Sequence, residues 1–335
     1  MSLLNVNILI TAIGSLSAEA CLASFNSLGI LPFVCDIYPK EWLLHISSQN
    51  TKGFFQVPLA SEESYITQLL HICHDNHISY IIPLTDPEID ILNTKRTLFA
   101  QQGIVLCIPP EKTVSLVRNK KKVYDALKKT DIDVIPTFLW QERNKIKTPV
   151  IAKLIIGRSS ENMYNLSKAE DLTALTNFPE QYILQPIIDG KIITCDLVRD
   201  RSGNFEFSIR EELLRTKNGA GLTVRMYNDQ ELAEQLKFLG IFFNIEGCVN
   251  FEFLKTTTKN YLMDINPRFS AGIAFSQLSG YEMVQNHFRC FYYGAIKKSS
   301  RIKEMPIIYA KRFTETRLCN EFSVKSQREP ERGGS

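Results

Sequence analysis

The sequence predicts a mixed α/β and α+β chain, in which a parallel sheet wrapped by helices precedes two smaller sheet units. Three observations carry that reading. Over residues 1–110, short apolar runs alternate with helix-length amphipathic stretches, the pattern of a parallel sheet covered by helices. Residues 113–188 combine a basic helix with two strand-like runs. Beyond residue 189, strand-like runs follow one another with few helices between them, as in an antiparallel sheet.

In order, Val6 to Ala12 reads as a buried strand and Ser15 to Leu28 as a helix stopped by Gly29, where glycine tolerates the left-handed turn. Ile30 to Asp36 is a second strand and Ser64 to His74 a helix. Tyr80 to Leu84 is a strand, Pro87 to Gln101 a helix with proline in its first turn, and Gly103 to Ile108 a strand. A basic helix spans Asn119 to Lys129, and a strand lies around Pro149 to Ile156. Ser167-Lys168-Ala169-Glu170 is a capping box that opens a helix at Lys168. Tyr182 to Ile188, Ile192 to Arg199 and Phe205 to Arg210 are strands, and Asn228-Asp229-Gln230-Glu231 caps a helix running to about Phe243. Cys248 to Leu254 and Tyr261 to Asn266 form a hairpin, followed by a helix from Tyr281 to Gly294. The polar stretch SVKSQREPERGGS at the end reads as disordered.

With 335 residues, 44% hydrophobic and 22% charged, the composition is that of an ordinary globular protein of several units. The net charge of +3 selects no partner. The basic cluster from Arg118 to Lys122 lacks the interleaved aromatics of a nucleic-acid groove. Eight scattered cysteines without C-x-x-C suit buried thiols in a reducing compartment, so the expected location is cytoplasmic. MSLLNVNILITA lacks a basic leader and a cleavage site, and no apolar run approaches the ~20 residues that span a bilayer. HICHDNH places His71, His74 and His77 around a helix surface, not around a metal. Walker A, G-x-G-x-x-G, G-x-S-x-G and papain-like cysteine motifs are absent.

The stretch that carries chemistry is YLMDINPRFSAG, residues 261–272. Residues i and i+2 of a strand share a face, so Asp264 and Asn266 project together, with Met263 and Ile265 toward the core. Glu252 sits between Phe251 and Phe253 on the preceding strand and also faces away from aromatic packing. If Glu252 lies opposite Asp264, three oxygen donors share one face. That register requires an odd-length loop or a bulge. Such hard donors suit Mg²⁺, and Arg268 just beyond adds a fork for phosphate. The alternative is an exposed polar strand face that ends in a turn.

Glu252 followed by Asp264-x-Asn266-Pro267-Arg268 resembles the C-terminal signature of the ATP-grasp superfamily, closest to its carbamoyl-phosphate-synthase-like and carboxylate–amine ligase members. Most members carry Glu at the Asp264 position. The resemblance covers roughly residues 5–295 and implies an ATP-grasp fold. It implies a Rossmann-like pre-ATP-grasp sheet over 1–112, a lid over 113–188, a base with the metal site over 189–300, and a C-terminal extension over 301–335. Asn119-Lys120 stand for the family's Asp-Lys, which brings Lys120 to the nucleotide phosphates. TPVIAKLIIG resembles the lid strand whose lysine, here Lys153, contacts the α/β phosphates. A lysine among Ile151, Ala152 and Leu154 is costly without an anion, unless it snorkels to water at a strand edge. Gly157, Ser159 and Ser160 occupy the phosphate loop, where the family has more glycines. YILQPIIDG resembles the hinge strand, with Gln185, Ile187 and Ile188 as candidates for the adenine edge; Ile192 stands where the family commonly has an acid. Arg210 and Arg215 fall in the family's acceptor region, either holding a substrate carboxylate or acyl phosphate or pairing with Glu211 and Glu212. Asp36 is either a substrate contact or a strand-end cap.

The resemblance implies an ATP-dependent ligase that joins a small-molecule carboxylate to an amine, that of an amino acid, through an acyl phosphate, releasing ADP and phosphate. Arg268, Lys153 and Arg210 are the expected catalytic residues. Glu252, Asp264 and Asn266 are the expected holders of Mg²⁺, with Mn²⁺ as a substitute. Nucleic acid and membrane are not expected partners, and a homodimer is compatible. Two alternatives stay open: a degenerate nucleotide-binding protein without ligase activity, and a carboxylase or carbamate-phosphorylating relative.

Overall fold

The computed structural model describes residues 6–157, 162–168, 171, 179–313 and 315–316. The N-terminal part runs β1 (Ile8–Ile10), α1 (Ala18–Ser27), β2 (Phe33–Asp36), β3 (Gly53–Gln56), α2 (Ser64–Asp75), β4 (Tyr80–Ile82), α3 (Asp86–Thr94), α4 (Arg96–Gln101) and β5 (Val105–Leu106). Its five strands form a parallel sheet in the order β3-β2-β1-β4-β5. The alternation read from the sequence is therefore realised, because each buried run pairs in register while the intervening helices cover it. Two differences stand out. GFFQ adds β3 at the sheet edge, a strand too short for its period to be read. The helix expected over Pro87 to Gln101 breaks at Lys95, and the next residue, Arg96, is tied to Asn93 Oδ1 (2.9 Å) and to the carbonyl of Pro109.

Two helices follow, α5 (Glu111–Val117) and α6 (Lys120–Leu127), the second capped by the Asn119 side chain, which accepts from Lys122 N at 2.9 Å. β6 (Phe138–Leu139), β7 (Val150–Leu154), β8 (Tyr164–Leu166) and β9 (Tyr182–Pro186) form a small antiparallel sheet, ordered β6-β9-β7-β8. Val150, Ala152 and Leu184 build its core, so Ile151 and Lys153 fall on the opposite face. The helix expected from Lys168 falls largely outside the described residues.

The last part contains β10 (Lys191–Arg199), β11 (Phe205–Arg215), β12 (Gly221–Met226), α7 (Gln230–Phe242), β13 (Gly247–Lys255), β14 (Asn260–Asn266), α8 (Ile273–Leu278), α9 (Met283–Tyr292) and β15 (Ile307–Ala310). Its antiparallel sheet is ordered β14-β13-β10-β11-β12-β15. Helix α7 starts at the expected cap, where Asp229 Oδ1 accepts from Leu232 N at 3.1 Å. β12 and β15 are additions to the sequence reading; β15 lies in the expected C-terminal extension and pairs with β12 as an edge strand. The polar end of the chain lies outside the described residues. A shared apolar core joins α1 and the first sheet to α9 and β13 through Phe25, Val198, Cys248 and Phe288. Among the described residues, no helix is long and apolar enough to cross a membrane.

Candidate functional site

The β13–β14 hairpin sets the centre of the site. Glu252 pairs with Asp264 and Asn250 with Asn266, and the register shifts by a bulge between Glu252 and Phe253, so that Phe253 faces Leu262. The bulge residue is Met263. It was expected in the core, but it is half-buried and lines the cleft, while Leu262 (4% exposed) takes the core position. The extra residue shifts the following ones across the pleat, which brings Asp264 and Asn266 to the face of Glu252. That face lines a cleft of about 780 Å³ between the two antiparallel sheets. Asn250 lines it as well, and its Oδ1 accepts from Asn266 Nδ2 at 3.1 Å. The sequence reading passed over Asn250, although its spacing of two from Glu252 placed it on the same face.

Cations surround this acidic face. Lys120, at the first position of α6, lies 3.2 Å from Asp264 Oδ1 and 3.4 Å from the carbonyl of Gly157. Lys153 enters from β7. Burial pulls its ammonium down to about 8, against the pull of the Asp264 and Glu252 carboxylates and with the push of Lys120. Arg215 Nη2 donates to Glu252 Oε2 at 3.2 Å, and burial still raises the Glu252 carboxyl above its ordinary value. Arg268 Nε donates to Asp86 Oδ2 at 2.8 Å, and Asp86 also faces Arg118 at 3.3 Å.

Arg210 lines the same cleft from beneath. It is 1% exposed, and its guanidinium is committed to Asp196 Oδ2 (2.6 Å), Glu212 Oε1 (3.2 Å) and Ser270 Oγ (2.8 Å). The surface pairing weighed from sequence is therefore a buried network, and Glu211 instead pairs with Lys191 and Arg225. Asp196 also accepts from Ser276 Oγ at 2.8 Å, which makes it an anchor of the sheet interior.

At the far end, Gln185, Ile188 and Ile192 line the cleft, and the Gln185 amide is fixed by Thr137 Oγ1 at 2.7 Å. The Ile187 side chain is exposed. Gly157 lines the cleft, whereas Ser159 and Ser160 lie outside the described residues. Asp36 accepts from the backbone amides of Gly14 (2.7 Å) and Tyr38 (3.0 Å), the geometry of a strand-end cap. His71, His74 and His77 are exposed on or just beyond α2.

Among the described residues, no group of three or more His, Cys, Asp or Glu side chains is gathered for a metal. The donor set here is mixed: two carboxylates and an amide on one face of one hairpin. Hard oxygen donors with room for phosphate oxygens fit Mg²⁺, which keeps part of its water shell and takes few protein ligands. Soft or imidazole ligands are missing from that face.

Comparison with known proteins places this arrangement. The family described as ATP-grasp in the biosynthetic pathway with Ter operon matches residues 178–311, and the PylC-like N-terminal domain matches residues 46–107. The carbamoyl phosphate synthase large chain of Clostridium perfringens is 26% identical over 159 residues, which cover 43% of this chain and only 15% of that protein. Among solved structures, N5-carboxyaminoimidazole synthetase from Staphylococcus aureus complexed with ADP superposes with a TM-score of 0.72 at 14% identity, covering 91% of this chain and 82% of that one. The L-amino acid ligase from Bacillus licheniformis gives 0.68 at 13% identity, covering 85% and 74%. The biotin carboxylase of Campylobacter jejuni gives 0.70 at 17%, covering 84% and 70%. Residues 178–311 thus match an ATP-grasp family model, and the chain has the fold of the ATP-grasp structures. The two family models and the carbamoyl phosphate synthase relative support a likeness to the carboxylate–amine ligase group.

Proposed function

We propose that this protein is an ATP-dependent carboxylate–amine ligase that makes an amide through an acyl phosphate and releases ADP and phosphate. One observation carries the reading. Glu252, Asp264 and Asn266 share a face of the β13–β14 hairpin, and Lys120, Lys153 and Arg268 line the same cleft.

Glu252, Asp264 and Asn266 would hold Mg²⁺, which supplies charge neutralisation to the β- and γ-phosphates when bound. Lys120 and Lys153 approach from α6 and β7, the lid side of the cleft, and offset charge on the nucleotide phosphates. Arg268 offers its guanidinium to the phosphoryl group in flight. The substrate carboxylate attacks the γ-phosphorus, the bond to ADP breaks, and an acyl phosphate forms. The amine then attacks the acyl carbon, loses a proton and expels phosphate. No protein nucleophile enters either step, and the lid side excludes water from the acyl phosphate. Gln185 and the backbone at Ile187 and Ile188 lie where the adenine edge would pair, with Gly157, Ser159 and Ser160 assigned to the phosphates. Arg210 acts as the buried anchor of the acceptor end and the half-buried Arg215 as its cation. The substrates are a small carboxylate and an amine, for which an amino acid is the class to screen first.

A second reading, nucleotide binding without ligation, draws on a specific feature. Asp264 and Glu252 are each paired with a cation, and Ile192 occupies the cleft wall where relatives carry an acid. Calorimetry of ATP with and without Mg²⁺ separates the two. Tight binding that depends on Mg²⁺, followed by ADP release with a carboxylate–amine pair, supports ligation. Metal-indifferent binding supports the second reading, and ADP release that requires bicarbonate marks a carboxylase.

A further inference from the structure

Arg268 follows β14, the edge strand of the sheet that bears the proposed metal site, but the group that holds it comes from the other end of the chain. Asp86 is the first residue of α3, at the carboxyl end of the parallel sheet, and its carboxylate is 1% exposed. It accepts from Arg268 Nε at 2.8 Å across 182 residues of sequence. Arg118 also approaches Asp86, at 3.3 Å, but Arg118 is clamped by Asp90 through both Nε and Nη2 at 2.8 Å. Asp90 thereby neutralises Arg118, and Asp86 serves Arg268. The placement at a helix N-terminus favours the ionised form. Burial alone would push the Asp86 carboxyl up, but Arg268, Arg118 and Lys120 outweigh it and hold it below its ordinary value.

The atom that is held matters. A guanidinium has five N–H donors, and its two terminal nitrogens form the edge that meets phosphate. Asp86 takes Nε, and the Phe269 carbonyl takes one donor from Nη1 at 3.0 Å. Those bonds set the plane and rotation of the group. Its backbone is pinned as well, since Arg268 N donates to the Asn266 carbonyl at 2.8 Å. Arg268 thus presents a preset edge to the cleft that it lines.

We infer that Asp86 is the positioning residue for Arg268, so that the N-terminal α/β unit supplies part of the phosphoryl-transfer apparatus of the ligase proposed above. The inference rests on that reading for the role of Arg268. A positioning residue acts through its partner, whereas a merely structural one does not, and a double-mutant cycle separates them.

The test measures the dissociation constant of ATP with Mg²⁺ by calorimetry for the full chain, Asp86→Asn, Asp86→Glu, Arg268→Met and Asp86→Asn with Arg268→Met. Thermal unfolding of each variant shows which are folded. The expected result is that Asp86→Asn weakens binding about fivefold in the native background, roughly 1 kcal/mol, and has no further effect once Arg268 is Met. Asp86→Glu, which keeps the charge, restores most of the loss. Equal effects of Asp86→Asn in both backgrounds overturn the inference while leaving the ligase reading intact, and so does native binding in a folded Asp86→Asn. If Asp86→Asn does not fold, the same cycle is run with Asp86→Ser, alone and with Arg268→Met, and the same outcomes decide. No binding by the unmodified chain removes the ligase reading and this inference together.

Discussion

Glu252 on β13 lies directly opposite Asp264 on β14, and the bulge at Met263 is what sets that register. In a regular ladder Met263 would take the place opposite Glu252, and Asp264 would pair with Phe251 and turn toward the core. The cross-strand pair therefore depends on a backbone irregularity, and an acid at each position would not suffice. Deletion of Met263 closes the bulge and leaves Asp264 opposite Glu252, so Mg²⁺-dependent ATP binding is expected to survive in a variant whose fold is checked by circular dichroism. Loss of the metal dependence in a folded variant would show that the local twist of the bulge, beyond the register, places the donors.

Glu252→Gln removes one of the two carboxylates on that face. The expected outcome is that ATP affinity loses its dependence on Mg²⁺, while affinity measured without the ion holds or rises, because a negative charge near the phosphates has gone. In the native protein, burial raises the Glu252 carboxyl above its ordinary value of 4.5. Its proton therefore competes with the ion, and Mg²⁺ affinity should fall as pH drops through that raised range. A metal dependence of ATP binding that is flat with pH there would exclude Glu252 as a ligand.

Lys153→Ala should raise the ATP dissociation constant about tenfold, ~1.4 kcal/mol. In the ligand-free protein, Lys153 loses its proton near pH 8, so ATP affinity should weaken as pH rises above that value. The stability effect has the opposite sense. Between about 8 and 10.5 the unfolded chain keeps the Lys153 proton and the folded chain does not, so folding stability contributed by this group rises with pH across that window. Lys153→Met should accordingly stabilise the ligand-free protein below pH 8, as read by urea unfolding. A destabilised Met variant would contradict an uncomfortable buried ammonium.

Arg210→Ala should lower stability by about 3–5 kcal/mol, because it leaves Asp196 and Glu212 buried without their shared cation. Arg215→Ala, on a half-buried residue, should leave the unfolding midpoint near that of the native protein and change acceptor kinetics instead. The reverse pattern would exchange the structural and functional assignments of the two arginines.

Gly221 admits a related check. A Cβ there would overlap Glu212 Oε2. Gly221→Ala must therefore push the Glu212 carboxylate off Arg210, and denaturant unfolding should show a loss of about 1–3 kcal/mol. A neutral substitution would show that the Glu212–Arg210 contact is dispensable.

Much of this was legible in the amino-acid order because it is local. The alternation of buried runs and helices predicted the parallel sheet, the Asp229 side chain predicted the start of α7, and the spacing of Asp264 and Asn266 put them on one face. The strands β3, β12 and β15 were not legible, because four to six residues hold too little period and their pairing energy comes from partners distant in sequence. Nor was the state of Arg210 legible, since nothing near it in the chain announces Asp196 or Ser270 as its neighbours.

The sequence by itself determined which groups are available: an acid and an amide two apart, an arginine after a proline, a lysine set in an apolar strand. Tertiary structure decided how they meet. It chose the side of the bulge, it paired Lys120 with Asp264 and Arg215 with Glu252, and it brought Asp86 to Arg268 from 182 residues away. The physical reason is that backbone periodicity is a property of neighbours, whereas charge compensation in a buried cleft is set by distance in space.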